Sequence, residues 1–222
     1  MTPPQKKRFF HDILVFSWYV LIAMAAWGNP RAFFASSARS AWAVVMVLTA
    51  IGTSLSESSP VNRGIRNVAG QGRELMLFEV ASWMVIFIVS YCDYSNRFVF
   101  HDSTALRNAG LLLFTFGKIV RTWAIVYLGR YFSVFLTIQE QHRLVTENIY
   151  TWIRHPSYLG LLLIHLGTAL VFRSKLGLLF WFLLLIWLVV RMNREERILA
   201  SEFGSFWENY KSRSRRLIPG IY

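Results

Sequence analysis

Six apolar runs separated by short basic segments limit this chain to the folds a bilayer permits. They cover roughly 11–28, 40–56, 75–92, 106–128, 157–173 and 175–192. About 20 apolar residues cross a hydrocarbon core, within a usable range near 17–25. Lipid offers the backbone no hydrogen bonds, so such runs satisfy their own as helices. The first three are plain, and the fourth contains Lys118 and Arg121. The last two are separated only by Arg173-Ser174-Lys175, which predicts a tight helical hairpin whose charges snorkel to the interface. The uncharged part of the last run, Leu176 to Val190, is 15 residues, the lower edge of what can cross. The expected fold is all-α: a polytopic membrane protein of about six transmembrane helices, the last two a hairpin, followed by a cytoplasmic C-terminal helix.

Lys6, Lys7 and Arg8 precede an apolar run from Ile13, and Ala23-Met24-Ala25 has the look of a small-residue cleavage site. That is also the pattern of a signal peptide, but a first membrane helix is the reading adopted. Only 16% of the residues are charged, against about 25% in a typical soluble domain. The 9 Trp, 9 Tyr and 18 Phe suit interfacial aromatic belts. The net charge of +12 sits in loops between the apolar runs. Anionic headgroups explain it better than nucleic acid does. Cys92 is the single cysteine, so no intrachain disulfide forms.

Loop charge gives the orientation. With six spans and the N-terminus inside, 16 Lys and Arg fall on the cytoplasmic side. The outer side has Arg31, Arg39, Arg97, Arg107, Arg173 and Lys175, and Lys118 and Arg121 lie within the fourth run. Both termini are then cytoplasmic, and so are two polar islands.

The first island, His142 to Gly160, reads HRLVTENIYTWIRHPSYLG. Polar clusters at the edge of a membrane core are expensive and usually functional. Pro156 suits a first helical turn, which places Arg154 and His155 at a helix N-terminus. Free backbone N–H groups there favour an anionic group, and Arg154 adds a planar fork for carboxylate or phosphate. Anchoring of the helix to headgroups explains Arg154 about equally well. His142 and His155 have no further ligands at a metal-binding spacing, so no metal is expected. His165, alone in an apolar run, reads as a satisfied interior residue. The second island, Arg191 to Tyr210, carries Glu195 and Glu196 among arginines. A salt-bridged juxtamembrane helix explains the arginines; carboxylates beside anionic lipid suit a cationic ligand group such as an ammonium or a sulfonium. Lys118 lies deep enough to need protein or water around it, with Glu79 a possible partner. Arg121 is close enough to the end to snorkel.

Together these residues resemble the isoprenylcysteine carboxyl methyltransferase family of integral-membrane, S-adenosylmethionine-dependent enzymes. The likeness runs from Arg121-Thr122-Trp123-Ala124 through Leu128-Gly129-Arg130-Tyr131-Phe132-Ser133, His142 to Thr146, Tyr150 and Arg154 to Gly160. It closes with Glu195-Glu196, Phe203-Gly204, Tyr210 and Leu217-Ile218-Pro219. Where the family has Gly-Pro before the tyrosine, this chain has Asn148-Ile149, and Asn tolerates a left-handed backbone.

The resemblance implies a cofactor pocket at the cytoplasmic membrane edge. Leu144, Val145, Tyr150, His155 and Tyr158 would line the S-adenosylmethionine site. Arg154, His142, Glu195 and Glu196 would hold its amino-acid end. Arg191 would position the acceptor, most simply the carboxylate of a prenylated cysteine, entering sideways from the bilayer. The methyltransferase core would occupy 105–222, with 1–104 as membrane scaffold, in a plasma, inner or endoplasmic reticulum membrane. Phospholipid or amine methyltransferases share RHP-x-Y-x-G and a distant EE, and membrane sterol reductases share a C-terminal hairpin but use NADPH. The sequence leaves the acceptor and the oligomeric state open.

Overall fold

The computed structural model describes residues 14, 17–54, 66–67, 71–133, 137–138 and 143–218. Helices occupy all six apolar runs. Helical residues 17–25 form α1. The others are α2 (Pro30–Phe34), α3 (Ser37–Ser54), α4 (Gln71–Ser95), α5 (Thr104–Leu128), α6 (Pro156–Val171), α7 (Lys175–Phe203) and α8 (Ser205–Arg213). Single 3-10 turns occupy Gly129–Tyr131 and Asn148–Thr151. Two two-residue strands, β1 (Arg66–Asn67) and β2 (Thr137–Ile138), pair antiparallel.

Gly72–Ser95, Thr104–Leu128 and Lys175–Phe203 are long and apolar enough to cross a membrane, whereas Ser37–Thr49 and Pro156–Val171 are shorter apolar helices. At a rise of about 1.5 Å per residue, α6 falls short of a hydrocarbon core of about 30 Å. Its polar termini meet protein: Arg107 of α5 donates to the Val171 carbonyl at 2.7 Å, and Arg121 of α5 donates to the Ser157 carbonyl at 3.0 Å.

The tightest helix pair is α5 with α6. Gly110 and Gly117 on α5 face Gly167 and Gly160 on α6. A Cβ at Gly117 would lie 2.8 Å from the Gly160 carbonyl, and one at Gly160 would lie 2.7 Å from Arg121 N. Glycines seven apart on both helices keep one face bare over two turns, so the backbones touch.

Arg39, Arg107 and Arg173 are buried, not loop cations. All three converge on Asp93, whose side chain is fully buried, with Arg39 and Arg107 each 2.9 Å from its carboxylate. Arg107 also pairs with Asp102 at 2.8 Å, and that bond holds the Asp102 carboxyl below its ordinary range. This cluster ties together one end of α3 to α6. Asp93 and Asp102 offset two of those three charges, so less net charge remains on that face for headgroups and the charge bias toward the other face sharpens.

Candidate active site

At the opposite end of the bundle, Pro156 opens α6 and His155 precedes it with φ −123° and ψ 55°, outside the helical region. The N–H groups of Arg154 and His155, expected to be free for an anion, are occupied. Arg154 N–H donates to the Arg215 carbonyl at 2.7 Å and His155 N–H to the Arg216 carbonyl at 3.0 Å. The return bond, Arg215 N–H to the Trp152 carbonyl at 3.0 Å, makes the tail a strap across the turn. Leu217 is buried among Leu162, Leu188 and Met192, which holds the strap down. A single sequence gives no sign that its last residues cap a helix sixty positions earlier.

The second island is not a separate element. The helix of the last apolar run continues through Arg191, Glu195 and Glu196 to Phe203. Gly204, at φ +52°, turns the chain into α8. Three and four residues further along one helix, Arg191 therefore presents Arg194 and Glu195 in fixed rotation.

Glu196 is buried, and three side chains bind it. Its Oε1 lies 3.1 Å from Arg154 Nε and 3.2 Å from His155 Nε2, and its Oε2 accepts from Arg216 at 2.9 Å. Arg154 also donates to the Ser214 carbonyl. Glu195 is a third exposed and faces the other way. Its Oε2 accepts from the Tyr158 hydroxyl at 2.7 Å, and that hydroxyl accepts from Arg191 Nε at 2.9 Å. The rings of His155 and Tyr158 stack at 5.4 Å. Tyr210 donates to the Tyr150 carbonyl at 2.7 Å, and Tyr150 donates to the Ala124 carbonyl at 3.1 Å. Burial pushes the Tyr150 hydroxyl pKa up and that of Tyr210 to about 12.

These groups surround a cavity of about 320 Å³. Leu144, Val145, Tyr150, His155 and Tyr158 form part of its wall, with Arg154, Arg191 and Glu195. Glu196 stands behind that wall. His142 lies outside the described residues. Asn148 has φ +59°, so the left-handed turn survives without glycine, and its Oδ1 accepts from Ile149 N–H at 2.8 Å. Among the described residues no three His, Cys, Asp or Glu side chains gather as metal ligands. His165 is satisfied by the Leu161 carbonyl at 2.9 Å.

Sequence reasoning missed two charged wall residues. Arg121 is turned inward to Ser157 and lines the cavity instead of snorkelling. Glu79 also lines it and bonds to Tyr19 of α1 at 2.8 Å. Both are ionisable residues within apolar runs, which is the signal that could have found them.

Residues 110–201 match the model of the isoprenylcysteine carboxyl methyltransferase (ICMT) family. Protein-S-isoprenylcysteine O-methyltransferase B of Arabidopsis thaliana is 30% identical over 142 residues, covering 60% of this chain and 72% of that protein. Protein-S-isoprenylcysteine O-methyltransferase of Schizosaccharomyces pombe is 30% identical over 141 residues, covering 62% of this chain and 58% of that protein. The Saccharomyces cerevisiae relative of the same name is 35% identical over 115 residues, covering 50% of this chain and 48% of that protein. The solved structure of the eukaryotic intramembrane Ras methyltransferase ICMT aligns with a TM-score of 0.52 over 100% of this chain and 99% of that one. At 21% identity that likeness concerns the fold.

Proposed function

This chain belongs to the isoprenylcysteine carboxyl methyltransferase family, and from that premise we propose that it methylates the carboxylate of a prenylated cysteine with S-adenosylmethionine as donor. The observation that carries the reading is one cavity lined by both Arg121 and Arg191, with Tyr158 linking Arg191 to the acidic Glu195. Such a site offers an anion receptor and a cation receptor within one apolar wall.

The residues present suit the donor. Leu144, Val145 and Tyr150 give an apolar and aromatic surface for a flat base. Glu195 offers a carboxylate to an ammonium or sulfonium, and His142 belongs to this proposal by its place in the motif. Arg154 and Glu196 are spent on each other and on the tail, so both are positioning residues that fix His155. Bound S-adenosylmethionine would supply an already activated methyl group, which leaves orientation and a dry, charged pocket to the protein.

Arg191 and Arg121 would steer the acceptor carboxylate. A carboxylate is ionised near neutral pH and needs no base. An amine acceptor would need its proton removed. Glu196 is committed to Arg154, His155 and Arg216, and Glu195 holds Tyr158, which favours the carboxylate reading. The charge bias of the loops supports a cytoplasmic position for this end of the bundle. We place the catalytic core over 105–222, with the N-terminal region adding Leu75, Phe78 and Glu79 to the cavity wall.

The test is to incubate membranes containing the protein with methyl-labelled S-adenosylmethionine and a prenylated cysteine. Label released by mild base identifies an ester and supports the reading. Label that survives base identifies an amine product, and no transfer removes the methyltransferase assignment for this acceptor.

A further inference from the structure

Glu79 is an ionisable side chain within a helix apolar and long enough to cross the membrane. Such residues are costly in lipid, and they face protein or a cavity. Glu79 lines the same cavity as Arg121 and Arg191. Its Oε1 accepts from the Tyr19 hydroxyl at 2.8 Å. No described residue donates to its Oε2. A role confined to holding α1 against α4 would need one acceptor oxygen, which a glutamine or a smaller polar group supplies without a charge.

Packing sets the depth of Glu79 relative to the arginines. The preceding residue, Phe78, stacks on Trp187 of α7 with centroids 5.0 Å apart and planes at 9°. Arg191, one helical turn beyond Trp187, rests over the same indole at 5.4 Å. Arg121 of α5 lines the same cavity wall as Glu79. So α4 brings an acid to the level at which α5 and α7 present their arginines. Facing a carboxylate acceptor, an acid repels. It becomes useful when the acceptor carries a donor next to that carboxylate. In an S-prenylated cysteine that donor is the α-nitrogen, two bonds from the carboxylate carbon.

We propose that Glu79 recognises an N–H group on the carbon adjacent to the acceptor carboxylate, and so selects amino-acid acceptors over plain lipophilic acids. This rests on the carboxyl-methylating reading above. The N–H can belong to an amide, as at a protein C-terminus, or to a free ammonium. A site that hydrogen-bonds a substrate N–H rejects the analogue lacking it, because its own acceptor is then left unpaired.

Three acceptors share a farnesyl thioether and a carboxylate and differ only in nitrogen. They are S-farnesylthiopropionate with none, N-acetyl-S-farnesylcysteine with an amide and S-farnesylcysteine with an ammonium. The wild type should prefer at least one nitrogen-bearing acceptor over S-farnesylthiopropionate in kcat/KM. In Glu79→Leu that preference should fall at least about tenfold. Glu79→Gln keeps a neutral acceptor, so it should retain amide preference and lose ammonium preference. S-adenosylhomocysteine titration of each variant checks that fold and donor site persist. Equal losses on all three acceptors, or an unaltered preference in Glu79→Leu, overturn the proposal. A variant that no longer binds S-adenosylhomocysteine is replaced by Tyr19→Phe, which frees Oε1 and should shift the same ratio; no shift there overturns it as well. If the wild type binds S-adenosylhomocysteine but methylates none of the three, the acceptor reading itself fails and this proposal falls with it.

Discussion

Glu196 Oε1 lies 3.1 Å from Arg154 Nε, although 42 positions separate the two residues. The same oxygen is 3.2 Å from His155 Nε2, and Arg216 holds the other. One carboxylate thus fastens the histidine-proline turn, the last long helix and the C-terminal strap together. Removing its charge leaves two buried or half-buried arginines undercompensated. We expect Glu196→Gln and Arg154→Ala each to lower kcat/KM at least about tenfold, roughly 1.4 kcal/mol. Methyl-transfer kinetics on purified variants check this, and near-normal turnover in both would take the pair out of the mechanism.

Tyr158 gives a cleaner test of the cavity itself. Its hydroxyl accepts from Arg191 and donates to Glu195, so it fixes the rotamers of both. Tyr158→Phe keeps the stacking on His155 and deletes only the relay. Turnover should fall about tenfold while the melting temperature shifts by less than for Glu196→Gln. A melting temperature that collapses with activity would assign the hydroxyl to stability instead.

The bare glycine faces of α5 and α6 should not tolerate a methyl group. Gly117→Ala and Gly160→Ala force backbone apart, which costs about 1–3 kcal/mol each. Gly160 also touches Arg121, so Gly160→Ala should reduce activity more than Gly117→Ala at equal loss of stability. Thermal unfolding in detergent, paired with initial rates, separates the two effects.

Asp93 is the centre of the distant ion cluster. Asp93→Ala leaves Arg39, Arg107 and Arg173 facing each other in a buried space, a loss of about 3–5 kcal/mol. Poor membrane accumulation is expected, whereas Asp102→Ala, at an exposed position, should be mild. Expression level and detergent unfolding measure both.

Alkaline pH should loosen the C-terminal lock. The Tyr210 hydroxyl, an ordinary tyrosine near 10 when unfolded, is pushed up to about 12 by burial. Because the folded form holds its proton more tightly, this stabilisation is complete below pH about 10 and is lost as pH rises through about 12. Tyr210→Phe removes that titration along with one hydrogen bond to Tyr150, about 1 kcal/mol. Stability measured from pH 9 to 12 should therefore fall less steeply in Tyr210→Phe than in the wild type. Parallel curves would place the alkaline transition elsewhere.

Much of the fold is legible in the sequence because hydropathy is a local property. Each apolar run became a helix, and Asn148 adopted the left-handed turn its chemistry allows. The motif order from Arg121 to Tyr210 also lies on the chain itself. Lys118 and Glu79 illustrate the limit. The sequence offered Glu79 as a possible partner for the buried Lys118, and Glu79 bonds to Tyr19 of the first helix, sixty positions away.

By itself, then, the sequence determined a helical membrane protein with two polar islands, since burial in lipid forces backbone groups to pair locally whatever the tertiary arrangement. Only the three-dimensional packing decided that the tail would cap the Arg154-His155 turn, that Arg121 would point into the cavity, and that three loop-like arginines would neutralise Asp93. Those outcomes depend on contacts between residues 14 to 80 positions apart. No local pattern encodes such a contact, because its energy exists only once the partner helix is in place.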